Sequence, residues 1–380
     1  MNISYNWLKR YIATDLPAEK IAEILTDIGL EVEGFEKIET VKGGLRGVVV
    51  GEVVTCADHP DSDHLHVTAV DVGAAEPLQI VCGAANCRAG LKVLCATVGA
   101  VLYPDGGDEE FKIKRSKIRG VESLGMLCAE DELGIGSSHD GIMELPADAP
   151  VGMEAREYLH VEDDYLIEIG LTPNRVDAAS HIGVARDLAA FLDCHEPASA
   201  PKLKRPSAGG FHIDDPEGNG VEVTVEAPEA CTRYCGLTLE GVRVAESPDW
   251  IKERLSVIGL RPINNVVDIT NYILHAYGQP LHAFDRARIG GDRIVVRKAA
   301  GGDKFTTLDA VERTLDAADL MICDAERPMC IAGVFGGLDS GVTDSTTSVF
   351  LESACFNPTS VRKTARRHGL STDSSFRFER

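Results

Sequence analysis

The sequence predicts an α+β multidomain protein: a small split α+β domain with a β-barrel inserted into it, followed by a larger mixed α+β domain. At 380 residues the chain has room for two to four domains of about 100 to 200 residues each. Short apolar, strand-like runs interrupt it early. The apolar helix faces on either side of those runs match each other.

The amino-terminal segment reads as a strand and then a helix. Thr14 or Asp15 can cap that helix, with Pro17 in its first turn, Ile21, Ile24, Leu25 and Ile28 on one face, and Gly29 to stop it. So short a helix buries little alone. The matching face comes at Asp177 to Leu192, where Ile182, Ala185, Leu188, Ala189 and Leu192 repeat at helical spacing. Residues 1–40 and 151–197 are therefore expected to form one split domain. Within 41–150, GVVVGEVVTC, HLHVTAVDV, PLQIVC, LKVLCATV and GIMEL are separated by turn-rich loops. Five such strands suit a small barrel of the OB-fold type. Residues 198–210 have the composition of a linker. From 211 to 380, VEVTVE, YCGLTLEGVRV, RIVVRKA, KFTTLDAVERTL, DLMICDAERPMCIAGVFGG and SVFLESACF supply strands and hairpins. Ser247 is expected to cap a helix that begins at Pro248, buries Trp250, Ile251, Leu255 and Ile258, and ends at Gly259. Asn357 and Pro358 open a last helix whose end carries Arg366, Arg367 and His368, in register with the helix dipole.

A net charge of −22 argues against general polyanion binding, which rests on Lys and Arg neutralising phosphates. RNA contact is expected only at basic patches. One is FKIKRSKIRG, with Lys112, Lys114, Arg115, Lys117 and Arg119; another lies in residues 361–380. The alternative for each is a solvated face. No apolar run reaches the roughly 18 residues of a membrane span, and the amino terminus lacks the apolar centre of a signal peptide. Eleven cysteines without a CxxC pair argue for reduced thiols and a cytoplasmic protein without membrane contact.

The run RPINNVVDITNYILHAYGQPLHAFD, Arg261 to Asp285, sets many polar side chains among apolar ones. Each buried donor or acceptor needs a partner. The run is either a self-satisfied network or a pocket wall that binds something polar. Asp58, His59, Asp61, Asp63, His64 and His66 offer carboxylate and imidazole ligands, yet HPDSD is also turn chemistry. We read a turn there and no metal site, with a metallohydrolase as the alternative.

VGEVVTCADHPDSDHLHVTAVDVG, IVCGAANCRAG and KIRGVESLGMLCAEDELG resemble the tRNA-binding OB module shared by several synthetases and tRNA-binding cofactors. That resemblance also implies a metal-free first hairpin turn. RPINNVVDITNY, GQPLHAFD, GVFGGLDSGV, FLESACF and RRHGLSTDSSFRFER, in this order behind the split domain, are similar to the β subunit of bacterial phenylalanyl-tRNA synthetase. The chain looks like the first half of that subunit, ending just after FRFER. The resemblance implies that 211–380 is a B3/B4-like editing domain that hydrolyses mischarged Tyr-tRNA(Phe), with an α subunit and tRNA(Phe) as partners. ATP and Mg2+ are expected only for the full α/β enzyme, and the fragment is not expected to aminoacylate alone. The alternative is a noncatalytic tRNA-binding or scaffold chain.

The chemistry of such a site follows from selectivity. A pocket built for Phe cannot strongly reject an analogue that adds a hydroxyl. A second site with a buried acceptor does the converse, since Phe would leave that acceptor unsatisfied at about 1 to 3 kcal/mol. Carried over residue by residue, the resemblance assigns Glu352 and the backbone at Gly336 to the tyrosyl hydroxyl. Arg261, Thr270, Asn271 and His282 are assigned to the ester and terminal adenosine. Thr372 and Ser374 are further wall positions, Ser374 standing where the family commonly has Ala. His282 either takes a proton from the attacking water or positions it, with Asn271 and Thr270.

Overall fold

The structure is a computed structural model that describes residues 1–136, 138–197, 200–216, 218 and 220–380. Parts of the expected linker (198 and 199), barrel (137) and last domain (217 and 219) thus lie outside the described residues. The chain forms two compact units, 37–164 and 1–36 with 165–380.

In the 37–164 unit the strands run in the order Gly125–Leu127, Lys92–Thr97, Val48–Asp58, His66–Asp71 and Leu78–Cys82, and Glu144–Leu145 also pairs with Lys92–Thr97. All of these pairings are antiparallel. The two ends of the sheet meet where Leu124 N donates to Gln79 O at 2.8 Å and Val81 N to Ser123 Oγ at 3.1 Å, which nearly closes the barrel. GIMEL supplies only its last two residues as strand. The strand position beside Lys92–Thr97 is taken instead by Gly125–Leu127, too short and too polar in its surroundings to show a pattern. Val48, Val50 and Val53 are buried while Val54 is exposed, because a register shift between Val53 and Thr55 leaves Val54 as the extra residue of a bulge.

In the other unit, Asn2–Ser4, Asp164–Gly170 and Glu31–Ile38 form a three-stranded sheet with Asp164–Gly170 in the middle. The expected helix faces do meet: Ile21, Ile24 and Leu25 of Ala18–Asp27 share a core with Ala185, Leu188 and Leu192 of His181–His195. That core continues into Ile251 and Leu255 of the helix Asp249–Val257 and Ala276 of the helix Asn265–Tyr277. The stretch of linker composition is strapped to it as well, through an Ile12–Leu203 bridge and Lys204 N donating to Tyr11 O at 2.7 Å.

Three local expectations need correction. Neither Thr14 nor Asp15 caps the first long helix, which starts at Ala18 after Pro17 in extended conformation. Ser247 does not cap the 249–257 helix; its hydroxyl donates to Asp268 Oδ2 at 2.5 Å. Trp250 is 46% exposed with Arg254 over its ring, an amphipathic side chain at the edge of the apolar stripe.

The remainder of this unit holds two sheets. One runs Glu222–Val225, Arg293–Lys298, Leu320–Cys323, Pro328–Ile331, Phe335–Gly336. In the other, Ser348–Phe356 lies between Cys231–Glu240 and Leu281–Asp285. The helix Pro358–His368 is capped by Asn357, which accepts from Thr359 N and Ser360 N, and ends at Gly369 in the left-handed region. The basic end is partly internal: Arg367 and His368 both bond the buried Asp319.

Two buried histidines lock the amino-terminal core to the 265–277 helix. Ser4 N donates to His181 Nε2 at 3.0 Å, so the proton sits on Nδ1, which donates to His275 O at 2.9 Å. The His181 ring stacks on Trp7, and Trp7 on Tyr272. Burial lowers the pKa of His181 to about 3, and burial together with Arg377 lowers that of His275 to about 4. Both are neutral when folded and gain a proton below about 6.5 when unfolded. Their contribution is whole above that pH and falls as the pH drops toward 4, by about 1.4 kcal/mol per pH unit for each. Histidine ring NMR signals should therefore show both residues not titrating between pH 8 and 5. A midpoint near 6.5 for either would contradict this packing.

Candidate functional site

A cavity of about 480 Å3 opens in the 165–380 part of the second unit. Its lining includes Thr270, Asn271, His282, Gly336, Glu352, Thr372 and Ser374. Seven of the eight residues proposed for the pocket thus surround one space. Arg261 is exposed and is not among its lining residues.

The polar run at 261–285 divides in two. Asn264 caps the 265–277 helix by accepting from Val266 N and Val267 N. Asn265 bonds the backbone of Arg243 and Ala245. Asp268 accepts from Ile263 N as well as Ser247, Gln279 donates to Ala354 O, and Asp285 accepts from Ala287 N and Thr346 Oγ1. These residues are a self-satisfied network. Thr270, Asn271 and His282 are the ones that face the cavity.

The hydroxyls on the wall differ in what they can still do. Thr270 Oγ1 donates back to Val267 O at 2.7 Å, so toward the cavity it can only accept. Thr372 is largely structural: it caps the helix Asp373–Phe378, accepts from Ser375 N and donates to Val334 O at 3.0 Å. The side chains of Asn271 and Ser374 make no hydrogen bond among the described residues.

Glu352 and His282 hold the centre. They are paired across the antiparallel strands Ser348–Phe356 and Leu281–Asp285, so the expected hydroxyl end and ester end share one wall. Glu352 is 5% exposed and accepts from the Tyr234 hydroxyl through Oε2 at 2.8 Å. Burial pushes its carboxyl up to about 7, against the lowering influence of that hydrogen bond, and no cation contributes. The His282 ring stands edge-on to Phe284 at 4.4 Å. Its Nε2 is enclosed without a partner, and burial lowers its pKa to about 4. Both groups are uncharged between about pH 4 and 7, the reverse of their usual order. Sequence reasoning missed Tyr234, and nothing near it in sequence reveals a partner 118 residues away.

Of the basic run, Lys112, Lys114 and Lys117 are exposed and in no ion pair among the described residues. Arg115 pairs with Glu122 at 2.5 Å, and Arg119 donates to Asp61 O at 2.8 Å. In the HPDSD turn, His59 is buried, accepts from Asp61 N through Nδ1 and bonds Ile118 O through Nε2. Among the described residues no three His, Cys, Asp or Glu side chains group as a metal would need.

Residues 230–380 match the B3/4 domain family, and residues 48–154 match a family described as "Putative tRNA binding domain". Over the whole chain, the phenylalanine–tRNA ligase beta subunit of Bacteroides fragilis is 60% identical and that of Porphyromonas gingivalis 61% identical. The chain spans 46% of each of these relatives, about half their length. A solved amino-terminal fragment of the phenylalanyl-tRNA synthetase beta-subunit from Pyrococcus horikoshii shares 17% identity over 54% of this chain and 62% of that one, at a TM-score of 0.30.

Gly336 is required by the His282 ring. A Cβ there would lie 2.9 Å from His282 Cε1 and 2.8 Å from Leu308 Cδ1. Gly336→Ala should displace that ring and cost about 1 to 3 kcal/mol of stability by overpacking. A crystal structure of the variant with His282 unmoved, and an unchanged unfolding midpoint, would refute the constraint.

Proposed function

We propose that this chain, a relative of phenylalanine–tRNA ligase beta subunits along its whole length, carries an editing site. That site hydrolyses Tyr-tRNA(Phe) and spares Phe-tRNA(Phe). The observation that carries this reading is the buried, cation-free carboxyl of Glu352 in the wall of a cavity that also presents His282, Thr270 and Asn271. A carboxylate that water barely reaches is stabilised by a phenol and left unsatisfied by a benzene ring.

In the hydrolysis, water attacks the aminoacyl carbonyl, the bond to the ribose oxygen breaks, and that oxygen leaves with a proton. Neutral His282 offers a lone pair to orient the water. With a pKa of about 4 it is a weak base at neutral pH, which favours positioning over net proton uptake. Thr270 accepts from the same water, and the Asn271 amide is free to donate to the carbonyl oxygen. Arg261 keeps the role of an outer contact to the terminal nucleotide.

In the complete enzyme this chain would pair with an α subunit and act in the cytoplasm. ATP and Mg2+ would serve charging by that complex. No step of the hydrolysis is assigned to them. The 48–154 module would add tRNA contact through Lys112, Lys114 and Lys117, with Arg115 and Arg119 half-committed to protein partners.

Single-turnover deacylation of Tyr-tRNA(Phe) and Phe-tRNA(Phe) tests the site. Glu352→Ala should erase the preference for Tyr. His282→Ala should slow Tyr-tRNA(Phe) hydrolysis by less than the roughly 100-fold typical of a lost general base, with the preference mostly kept. Ser374→Trp should block the cavity. If all three variants match the parent in rate and preference, the pocket lies elsewhere. Because burial lowers the pKa of His282 to about 4, its ring signals in NMR should not titrate near pH 6.5, and a midpoint there would contradict the enclosed ring.

For the RNA patch, replacing Lys112, Lys114 and Lys117 by Ala should weaken tRNA binding and flatten its log–log salt dependence by about one for each phosphate that is no longer neutralised. An unchanged slope would leave the run as a solvated face.

A further inference from the structure

We infer that Tyr234 is a positioning residue for selectivity: by donating to Oε2 of Glu352 it fixes the carboxylate and leaves Oε1 to accept from a tyrosyl substrate. This rests on the proposed reading of Glu352 and extends it to a residue on a different strand. In the Cys231–Glu240 strand Gly236 is the partner of Glu352, and Tyr234 is the partner of Ala354. Tyr234 therefore stands diagonal to Glu352 on the same face, within reach of a long side chain. Gly236 makes room for the Phe350 ring, since a Cβ there would come within 2.1 Å of Phe350 Cζ.

The Tyr234 hydroxyl is 2.8 Å from Oε2. Oε1 has no hydrogen bond among the described residues, and Glu352 lines the cavity. An ionised carboxylate has acceptor capacity for two phenols at once. A protonated one has spent one oxygen on its own proton. Tyr234 favours the ionised form because its hydroxyl stabilises the charge more than the neutral acid.

The titratable groups around the carboxyl are few. Tyr234 faces it from the Cys231–Glu240 strand and His282 from the Leu281–Asp285 strand. Cys231 and Cys330 both feel its charge, which adds to the effect of burial in raising their thiols. Burial raises Tyr234 well above its usual range, with Glu352 adding to it, so its proton stays in place through neutral pH. His282 is neutral throughout that range. Glu352 is the one member of the set that changes charge between pH 6 and 8.5.

The experiment compares the ratio of kcat/KM for Tyr-tRNA(Phe) and Phe-tRNA(Phe), from pH 6 to 8.5, in the parent, Tyr234→Phe and Glu352→Gln. The ratio cancels effects common to both esters. In the parent it should rise with pH through about 7 as Glu352 ionises. In Tyr234→Phe the rise should move up by about one to two pH units, the effect of removing one charge-assisted hydrogen bond. In Glu352→Gln the ratio should be low and flat. Carbon-13 NMR of the labelled glutamate side chain gives the midpoint of Glu352 without any activity, and should show the same upward displacement in Tyr234→Phe. If Glu352→Gln keeps the parent ratio, the reading of Glu352 as the acceptor fails. If Glu352→Gln is flat but Tyr234→Phe superimposes on the parent, in both ratio and carboxyl midpoint, the role of Tyr234 is overturned.

Discussion

A carboxyl buried in the middle strand of a three-stranded sheet, with no cation near it, is the constraint on which the candidate site depends. Placing Glu352 in Ser348–Phe356 works against solvation, and burial raises its pKa to about 7. The sheet supplies one compensating donor, Tyr234. On its other side stands a histidine that burial keeps neutral. A lysine or arginine here would hold the carboxylate ionised and saturated, leaving nothing for a ligand to add. The free acceptor capacity of Glu352, bonded only through Oε2, is thus the physical basis of the candidate site.

The surrounding structure serves to hold that wall still. The 265–277 helix is fixed at its start by the Asn264 cap and by Asp268, which ties it to Ser247 and Ile263. Toward its end His275 O accepts from His181, which is itself clamped by Ser4 N. Arg377 donates to Ala179 O and to the backbone of Asp373, linking the 181–195 helix region to the segment that bears Thr372 and Ser374. Two walls of the cavity, the 265–277 helix and the segment at 372–374, are therefore referred to one apolar core that begins at the amino terminus.

Much of this was legible in the chain. Helix faces such as Ile21, Ile24 and Leu25 carry a period that survives folding, and the Asn357–Pro358 and Gly369 boundaries are local chemistry. What the sequence hid depends on partners far away. Asn264 and Asp268 look no different from Thr270 and Asn271 until the helix is placed and one group turns to its own backbone. Pro17 and Pro248, extended before their helices, displaced the hydroxyl and carboxyl caps expected from Thr14, Asp15 and Ser247. Gly125–Leu127 became a barrel strand because Lys92–Thr97 offered it an edge, and Tyr234 met Glu352 only through strand register. The family resemblance reached the wall residues because it carries position information that composition and period lack, though it placed Arg261 with a group that the cavity lining does not include.

The central claim is that one buried carboxyl reads a phenol. It is tested most directly by following the Glu352 side-chain carbon in carbon-13 NMR while L-tyrosine or L-phenylalanine is added to this chain near pH 7. Tyrosine should move the Glu352 signal and lower its titration midpoint, because the phenol stabilises the ionised form, while phenylalanine should leave the midpoint at or above its starting value. Equal responses to the two amino acids, or a Glu352 signal that tyrosine does not move at saturation, would contradict the account.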